Sequence, residues 1–91
     1  MKKRIEAIVR GKVQGVGYRY YTVQKAAKYG LKGFVRNLQD GTVKVVAEGE
    51  EEKLKQFLKD LYQGPPLAIV DDISVKWLEP KNDFDSFEIR Y

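Results

Sequence analysis

Gly11-Lys12-Val13-Gln14-Gly15-Val16-Gly17-Tyr18-Arg19 joins two segments of different periodicity. Before it, Arg4 to Arg10 alternates. Ile5, Ala7 and Val9 face one way, and Glu6, Ile8 and Arg10 the other, the pattern of a strand with one buried face. After it, Arg19 to Tyr29 reads as a helix with Val23, Ala26 and Ala27 inward and Tyr20 one turn earlier. Gly30 stands where a helix is commonly closed. Between strand and helix, Gly15 and Gly17 permit positive φ and let backbone N–H groups converge. A turn of that kind feeding a helix N-terminus is a natural anion cradle. Arg19 is the odd residue in it, because a cation in the first turn opposes the helix dipole at a cost of about 0.3–1 kcal/mol. By itself the stretch fits two readings. Either Arg19 and the loop amides grip one multiply charged anion, or the glycines only make a tight βα turn and Arg19 points to solvent. A dinucleotide fingerprint is excluded, since Tyr20 stands where its third glycine belongs.

Outward from this stretch, Leu31 to Gln39 reads as a second strand, and Asp40-Gly41 is a strong hairpin signal. Thr42 to Glu48 is a third strand with Val43, Val45 and Ala47 inward. Glu50 to Tyr62 is a second helix, with Leu54, Phe57, Leu58 and Leu61 on one apolar face. Glu50, Glu51 and Glu52 sit in its first turn, where the dipole favours them, so this acidic run supports the helix and does not mark a metal site. Gly64-Pro65-Pro66 stops the helix. Asp71 to Leu78 is a fourth strand with Ile73, Val75 and Trp77 on one face and Trp77 expected in the core. Phe84 to Tyr91 is a short fifth strand with Phe87, Ile89 and Tyr91 on one face. The tyrosines of the first helix read as packing residues with their hydroxyls near water.

The order is βαββαβ plus a short last strand, an α+β arrangement of the ferredoxin-like kind. It predicts an antiparallel sheet with a short fifth strand and both helices on one face. In such a fold the two strands of a split βαβ unit run the same way around an intervening strand. The ends of the first and second strands then reach one sheet edge, about 10 Å apart. Arg19 follows the first of them and Asn37 stands near the end of the second, so the two converge on one small site.

Composition narrows the chemistry. The 91 residues are expected to form one domain over 1–91, and 43% hydrophobic content suffices for a modest core. With no cysteine and no histidine, disulfides, thiolate chemistry, imidazole bases and most zinc or iron sites are excluded. Catalysis would fall to arginine, lysine, amides, hydroxyls, carboxylates or the backbone. A net charge of +4 suits an anionic partner. No apolar run approaches a membrane span, and Met1-Lys2-Lys3-Arg4 is not followed by the apolar segment of a secretion signal, so a cytoplasmic protein is expected. The Lys- and Glu-rich composition is compatible with a thermophilic source. No coiled coil or extended apolar tail is present, so a monomer is expected.

Asn37 offers an amide donor and a carbonyl acceptor. Beside a bound anion it could hold a water by its protons and aim the oxygen; equally, it could shape the turn before Asp40-Gly41. Here the chain resembles the acylphosphatase family. Gly11 to Arg19 is similar to the family's first signature, Gly-x-Val-Gln-Gly-Val-x-Phe-Arg. Gly33-Phe34-Val35-Arg36-Asn37, followed by Asp40-Gly41-Thr42-Val43, is similar to its second, and Gly30-Leu31 and Ile89-Arg90-Tyr91 also fit. Tyr18 stands where Phe is commoner and Phe34 where Trp or Tyr is common, and both keep an aromatic ring. Tyr18 is expected to bring a hydroxyl near the cradle and to shift substrate preference slightly.

The resemblance implies hydrolysis of an acyl phosphate to a carboxylate and inorganic phosphate. Arg19 and the loop amides of Gln14, Gly15, Val16, Gly17 and Tyr18 would hold the phosphate, and Asn37 would orient the attacking water. That reaction suits a chain without histidine: the leaving carboxylate has a pKa of about 4–5 and departs without a proton, and a loose phosphoryl-transfer transition state asks mainly for positioned positive charge. No metal or other cofactor is implied. The implied partners are the acyl phosphate itself and inorganic phosphate or similar anions as product or inhibitor. Neither a membrane nor nucleic acid is among them. An RNA-recognition module shares the element order, and Lys32-Gly33-Phe34-Val35 is similar to part of its signature. That segment lies on the second strand, and the third, Thr42 to Glu48, has no aromatic ring for a base to stack on.

Overall fold

A computed structural model describes all of residues 1–91. The elements are β1 (Lys2–Lys12), α1 (Tyr18–Lys28), β2 (Lys32–Asn37), β3 (Val43–Glu50), α2 (Glu51–Gln63), β4 (Ile69–Leu78) and β5 (Phe87–Arg90). The sheet order is β4-β1-β3-β2-β5. This is the ferredoxin-like arrangement expected from the pattern, with one refinement. The pairings β1–β3, β1–β4 and β2–β3 are antiparallel, but β5 lies parallel to β2, so the sheet is mixed. The sequence shows that a fifth strand exists but not which edge it joins.

Period-two alternation decides the core. Ile5, Ala7 and Val9 of β1, Val43, Val45 and Ala47 of β3, and Val35 of β2 are buried in one cluster with residues of both helices, so the helices share one face of the sheet. Leu54, Phe57 and Leu61 of α2 are fully buried, and each contributes roughly 1.5–3 kcal/mol by leaving water. The inner face of α1 differs from expectation. Tyr18, Thr22 and Ala26, spaced by four, are buried, whereas Tyr20 and Ala27 are exposed. Thr22 is hidden because its hydroxyl donates to the Tyr18 carbonyl at 2.8 Å, which makes it compatible with the core. Three tyrosine hydroxyls tie α1 and its end to α2. Those of Tyr18 and Tyr21 donate to the carbonyls of Leu61 and Asp60, each at 2.7 Å, and that of Tyr29 donates to the Asp60 carboxylate. These hydroxyls are therefore spent on the last turns of α2 rather than on water.

Helix α1 closes as expected around Gly30. The N–H of Leu31 reaches the Ala26 carbonyl at 2.9 Å and that of Gly30 the Ala27 carbonyl at 3.2 Å, the paired bonds of a Schellman cap. The hairpin at Asp40-Gly41 is present: the Thr42 N–H and hydroxyl both donate to the Asp40 carboxylate, at 3.1 and 2.6 Å. Gly33 opens β2 at φ +147, where a Cβ would stand 1.9 Å from the Val46 carbonyl oxygen. It is a packing glycine that lets β2 approach β3 closely.

Trp77 is not in the core. It is 43% exposed, because β4 is an edge strand with a neighbour on one side only. A buried charge cluster, not anticipated from the sequence, occupies the opposite face of the sheet. Arg4 and Glu48 pair at 2.7 Å, each about 8% exposed. Glu48 also accepts the N–H groups of Lys81 and Asn82, both at 3.0 Å, which pins the β4–β5 connection onto the sheet.

Candidate active site

The topology brings the two halves of the site together. Both β1 and β2 pair antiparallel with β3, so they run the same way on either side of it, and Val9 and Asn37 both face Val43. The loop leaving β1 and the end of β2 therefore emerge at one edge. There a cavity of about 250 Å³ is lined by Gly15, Gly17, Tyr18, Arg19 and Tyr20 from the loop and first turn of α1, by Asn37 from β2, and by Val13, Ile89 and Tyr91.

Gly15 and Gly17 sit at φ +73 and +79, and a Cβ at either would be strained whatever the surrounding space. Gly17 caps α1 in a left-handed conformation without any side-chain hydrogen bond. None of the backbone N–H groups from Gln14 to Tyr20 donates to an acceptor within the protein; the first bond of the helix ladder is Tyr21 N–H to the Gly17 carbonyl, at 3.0 Å. A run of free N–H groups at the positive end of a helix dipole is suited to binding an anion.

Arg19 stands in the first turn of α1, half-buried. Arg4, Arg10 and Arg90 have carboxylate partners; Arg19 and Arg36 have none. Its guanidinium lies 5.1 Å from the ring centroid of Tyr91. An arginine held by a ring and left without a counter-ion, at the wrong end of a helix dipole, keeps its whole fork of donors for a ligand. Asn37 is in a similar condition. Its Oδ1 is buried without a hydrogen-bond partner, and its side chain makes no hydrogen bond to the protein. Such an orphan costs about 1–3 kcal/mol, a cost that ligand or water can offset. It also argues against a turn-shaping role, because the turn is bonded instead through Asp40, Thr42 and Gln14.

Two residues of the first motif also have structural roles. The Gln14 side chain is a strut: Nε2 donates to the carbonyls of Leu38 at 2.8 Å and Thr42 at 2.9 Å, fastening the loop to the β2–β3 hairpin. Only its backbone N–H remains for an anion. Tyr18 turns away from the cradle. Its ring is 1% exposed, and burial pushes its phenol pKa well above the usual value. Its hydroxyl is held on the Leu61 carbonyl and not near the cradle, contrary to expectation, while other atoms of Tyr18 line the cavity. Tyr91, by contrast, is expected from the sequence as a strand residue and as part of the closing Ile89-Arg90-Tyr91, with no place in the site. Its place beside Asn37 follows from the parallel pairing that sets Arg36 against Arg90, which no local pattern announces. The protein contains no group of three or more carboxylates that could hold a metal ion, and no helix long and apolar enough to cross a membrane.

Comparison with known proteins identifies the family and the fold. The family model described as acylphosphatase matches residues 5–89. An acylphosphatase of Bacillus licheniformis is 49% identical over 84 residues, covering 92% of this chain and 93% of its own length. One of Archaeoglobus fulgidus is 48% identical over 87 residues, covering 96% and 97%. The crystal structure of an acylphosphatase from Bacillus subtilis superposes with a TM-score of 0.95 at 39% identity, covering 98% of this chain and 99% of that one. The chain belongs to the acylphosphatase family, a family of hydrolases.

Proposed function

We propose that this domain hydrolyses acyl phosphates without a metal ion, with Arg19 and the amides of residues 14–19 holding the phosphoryl group and Asn37 orienting the attacking water. The observation that carries the reading is the juxtaposition, in one cavity, of an arginine without a counter-ion, a loop of free N–H groups and an unpartnered carboxamide. The phosphoryl dianion enters the cradle, where the Arg19 fork takes two equatorial oxygens and the loop amides take the rest. The dipole penalty at Arg19 is then offset by the negative charge set between the guanidinium and the helix start.

Asn37 holds the nucleophile. Rotation about the last side-chain torsion presents either the oxygen or the nitrogen of the carboxamide to the cavity, so the group can accept a water proton or donate to a phosphoryl oxygen. Water attacks in line. Its oxygen bonds to phosphorus as the bond from phosphorus to the acyl oxygen breaks, and that electron pair leaves on the carboxylate. One water proton passes to a phosphoryl oxygen. No side chain need gain or lose a proton, which is why a site without histidine suffices. Stabilisation comes from donors already placed before the reaction starts.

The test is incubation with acetyl phosphate or benzoyl phosphate in the presence of a chelator, following loss of the anhydride. Turnover with competitive inhibition by inorganic phosphate is expected. Loss no faster than in buffer would refute the reading.

A further inference from the structure

We propose that the ring of Tyr20 is the surface on which the acyl group of the substrate rests, and that it gives the site a preference for aromatic acyl groups; this rests on acyl phosphate hydrolysis at the same cavity. Three observations carry it. First, the reaction geometry separates the two ends of the cavity. Asn37, which holds the water, has its carboxamide oxygen buried, so the nucleophile stands at the floor. In-line attack sets the leaving oxygen across the phosphorus from the water. The acyl group attached to that oxygen therefore points from the phosphoryl group toward the mouth.

Second, the mouth is aromatic. Of the side chains that line the cavity, Val13 and Tyr18 are buried, and Arg19, Asn37 and Ile89 are half-buried. Tyr20 and Tyr91 are the exposed ones, at 65% and 92%. Tyr20 owes its position to the helix. Tyr18 faces the core, and two residues further along an α-helix turn the side chain by about 200°, so Tyr20 faces outward next to Arg19. No lining side chain other than Arg19 is charged, and the phosphoryl group takes that fork. An acyl group with a carboxylate of its own meets no second cation here, whereas an aromatic one meets a ring on which it can stack.

Third, Tyr20 has no work inside the fold. The chain has six tyrosines. The hydroxyls of Tyr18, Tyr21, Tyr29 and Tyr62 donate to oxygens of α2 or β4. The ring of Tyr91 lies beside the Arg19 guanidinium. Tyr20 alone has no hydrogen bond from its hydroxyl and no aromatic or cationic partner for its ring. The helix does not call for it either, since alanine is the better helix former. A single exposed aromatic residue is ordinary on a protein surface. This one stands at the mouth of the cavity that receives the substrate, and a tyrosine ring, with two side-chain torsions, loses little freedom on meeting a ligand.

Steady-state hydrolysis of benzoyl phosphate and acetyl phosphate by the intact protein tests this, with inhibition by inorganic phosphate measured on the same preparations. Tyr20→Ala should lower the benzoyl-to-acetyl ratio of kcat/KM about tenfold. The change should lie mainly in KM for benzoyl phosphate, because the ring meets the acyl group in the ground state and the transition state alike. Tyr20→Phe keeps the ring and should keep the ratio. Inhibition by inorganic phosphate, which has no acyl group, should not follow the ratio. An unchanged ratio in Tyr20→Ala, or a ratio lowered as far by Tyr20→Phe as by Tyr20→Ala, overturns the role of Tyr20 while leaving the hydrolase intact. Wild-type protein that cleaves neither substrate faster than buffer overturns the hydrolase reading, and this one with it.

Discussion

Arg19→Ala separates function from stability more sharply than any other single change. In the fold the side chain has no ion pair to lose. Its one aromatic contact, 5.1 Å to the Tyr91 ring centroid, contributes about 0.5–1 kcal/mol. Against that, removing a cation from the first turn of α1 relieves about 0.3–1 kcal/mol of dipole repulsion. The two nearly cancel, so the free energy of unfolding should change by no more than about 0.5 kcal/mol. Activity behaves otherwise. Two charge-assisted hydrogen bonds to a developing negative charge are lost from a site with no other side-chain cation, and removal of one well-placed donor costs about 2.7–4 kcal/mol. The expected fall in kcat/KM is therefore about 10²–10³-fold, with weakened phosphate inhibition. Arg19→Lys should regain little, because a point charge does not replace a planar fork. The assays are benzoyl phosphate hydrolysis and urea unfolding on the same preparations. A fall in activity under tenfold would mean that the loop amides do the binding alone. A loss of more than about 1.5 kcal/mol of stability would mean that Arg19 is structural.

Asn37→Ala should lower kcat by about 10²-fold while leaving phosphate inhibition close to unchanged, and wild-type turnover would refute the water-positioning role. Because it removes an unpartnered buried oxygen, the same variant should be no less stable to urea than wild type. Tyr18→Phe should cost about 1–2 kcal/mol through the abandoned Leu61 carbonyl and leave the benzoyl-to-acetyl preference unaltered; a changed preference would return the hydroxyl to the site. For Glu48, burial favours the neutral acid, but the N–H groups of Lys81 and Asn82 and the Arg4 guanidinium outweigh it and hold the carboxyl below its usual value. A depressed folded pKa adds stability above the unfolded pKa of about 4.3 that is lost as pH falls through the folded value. Urea unfolding between pH 6 and pH 2, on the order of the carboxylate range, should show a shallower acid decline for Glu48→Gln than for wild type.

Much of this was open to reading before folding. Alternation in Arg4 to Arg10 and Thr42 to Glu48, and the four-residue spacing in α2, are local consequences of strand and helix geometry, so element type and the buried valines follow from residue order alone. The cradle is similarly local. Two glycines within three residues ahead of a helix, with an arginine in its first turn, point to an anion whatever surrounds them.

Tertiary structure decided what depends on which segment is the neighbour. Trp77 has a core side chain in a core-like pattern, yet edge position leaves it half in water, because β4 has a partner on only one side. Tyr18 and Phe look equivalent in a motif until the position of α2 supplies a carbonyl for the hydroxyl. Tyr91 meets Arg19 only because β5 chose the parallel edge beside β2. The sequence by itself thus determined the elements, one buried face of the sheet and the chemical character of the loop. The pairing of distant strands decided which polar atoms stay unbonded around Arg19 and Asn37. A hydrogen bond's absence depends on every segment that could have made it, so no local pattern can encode it.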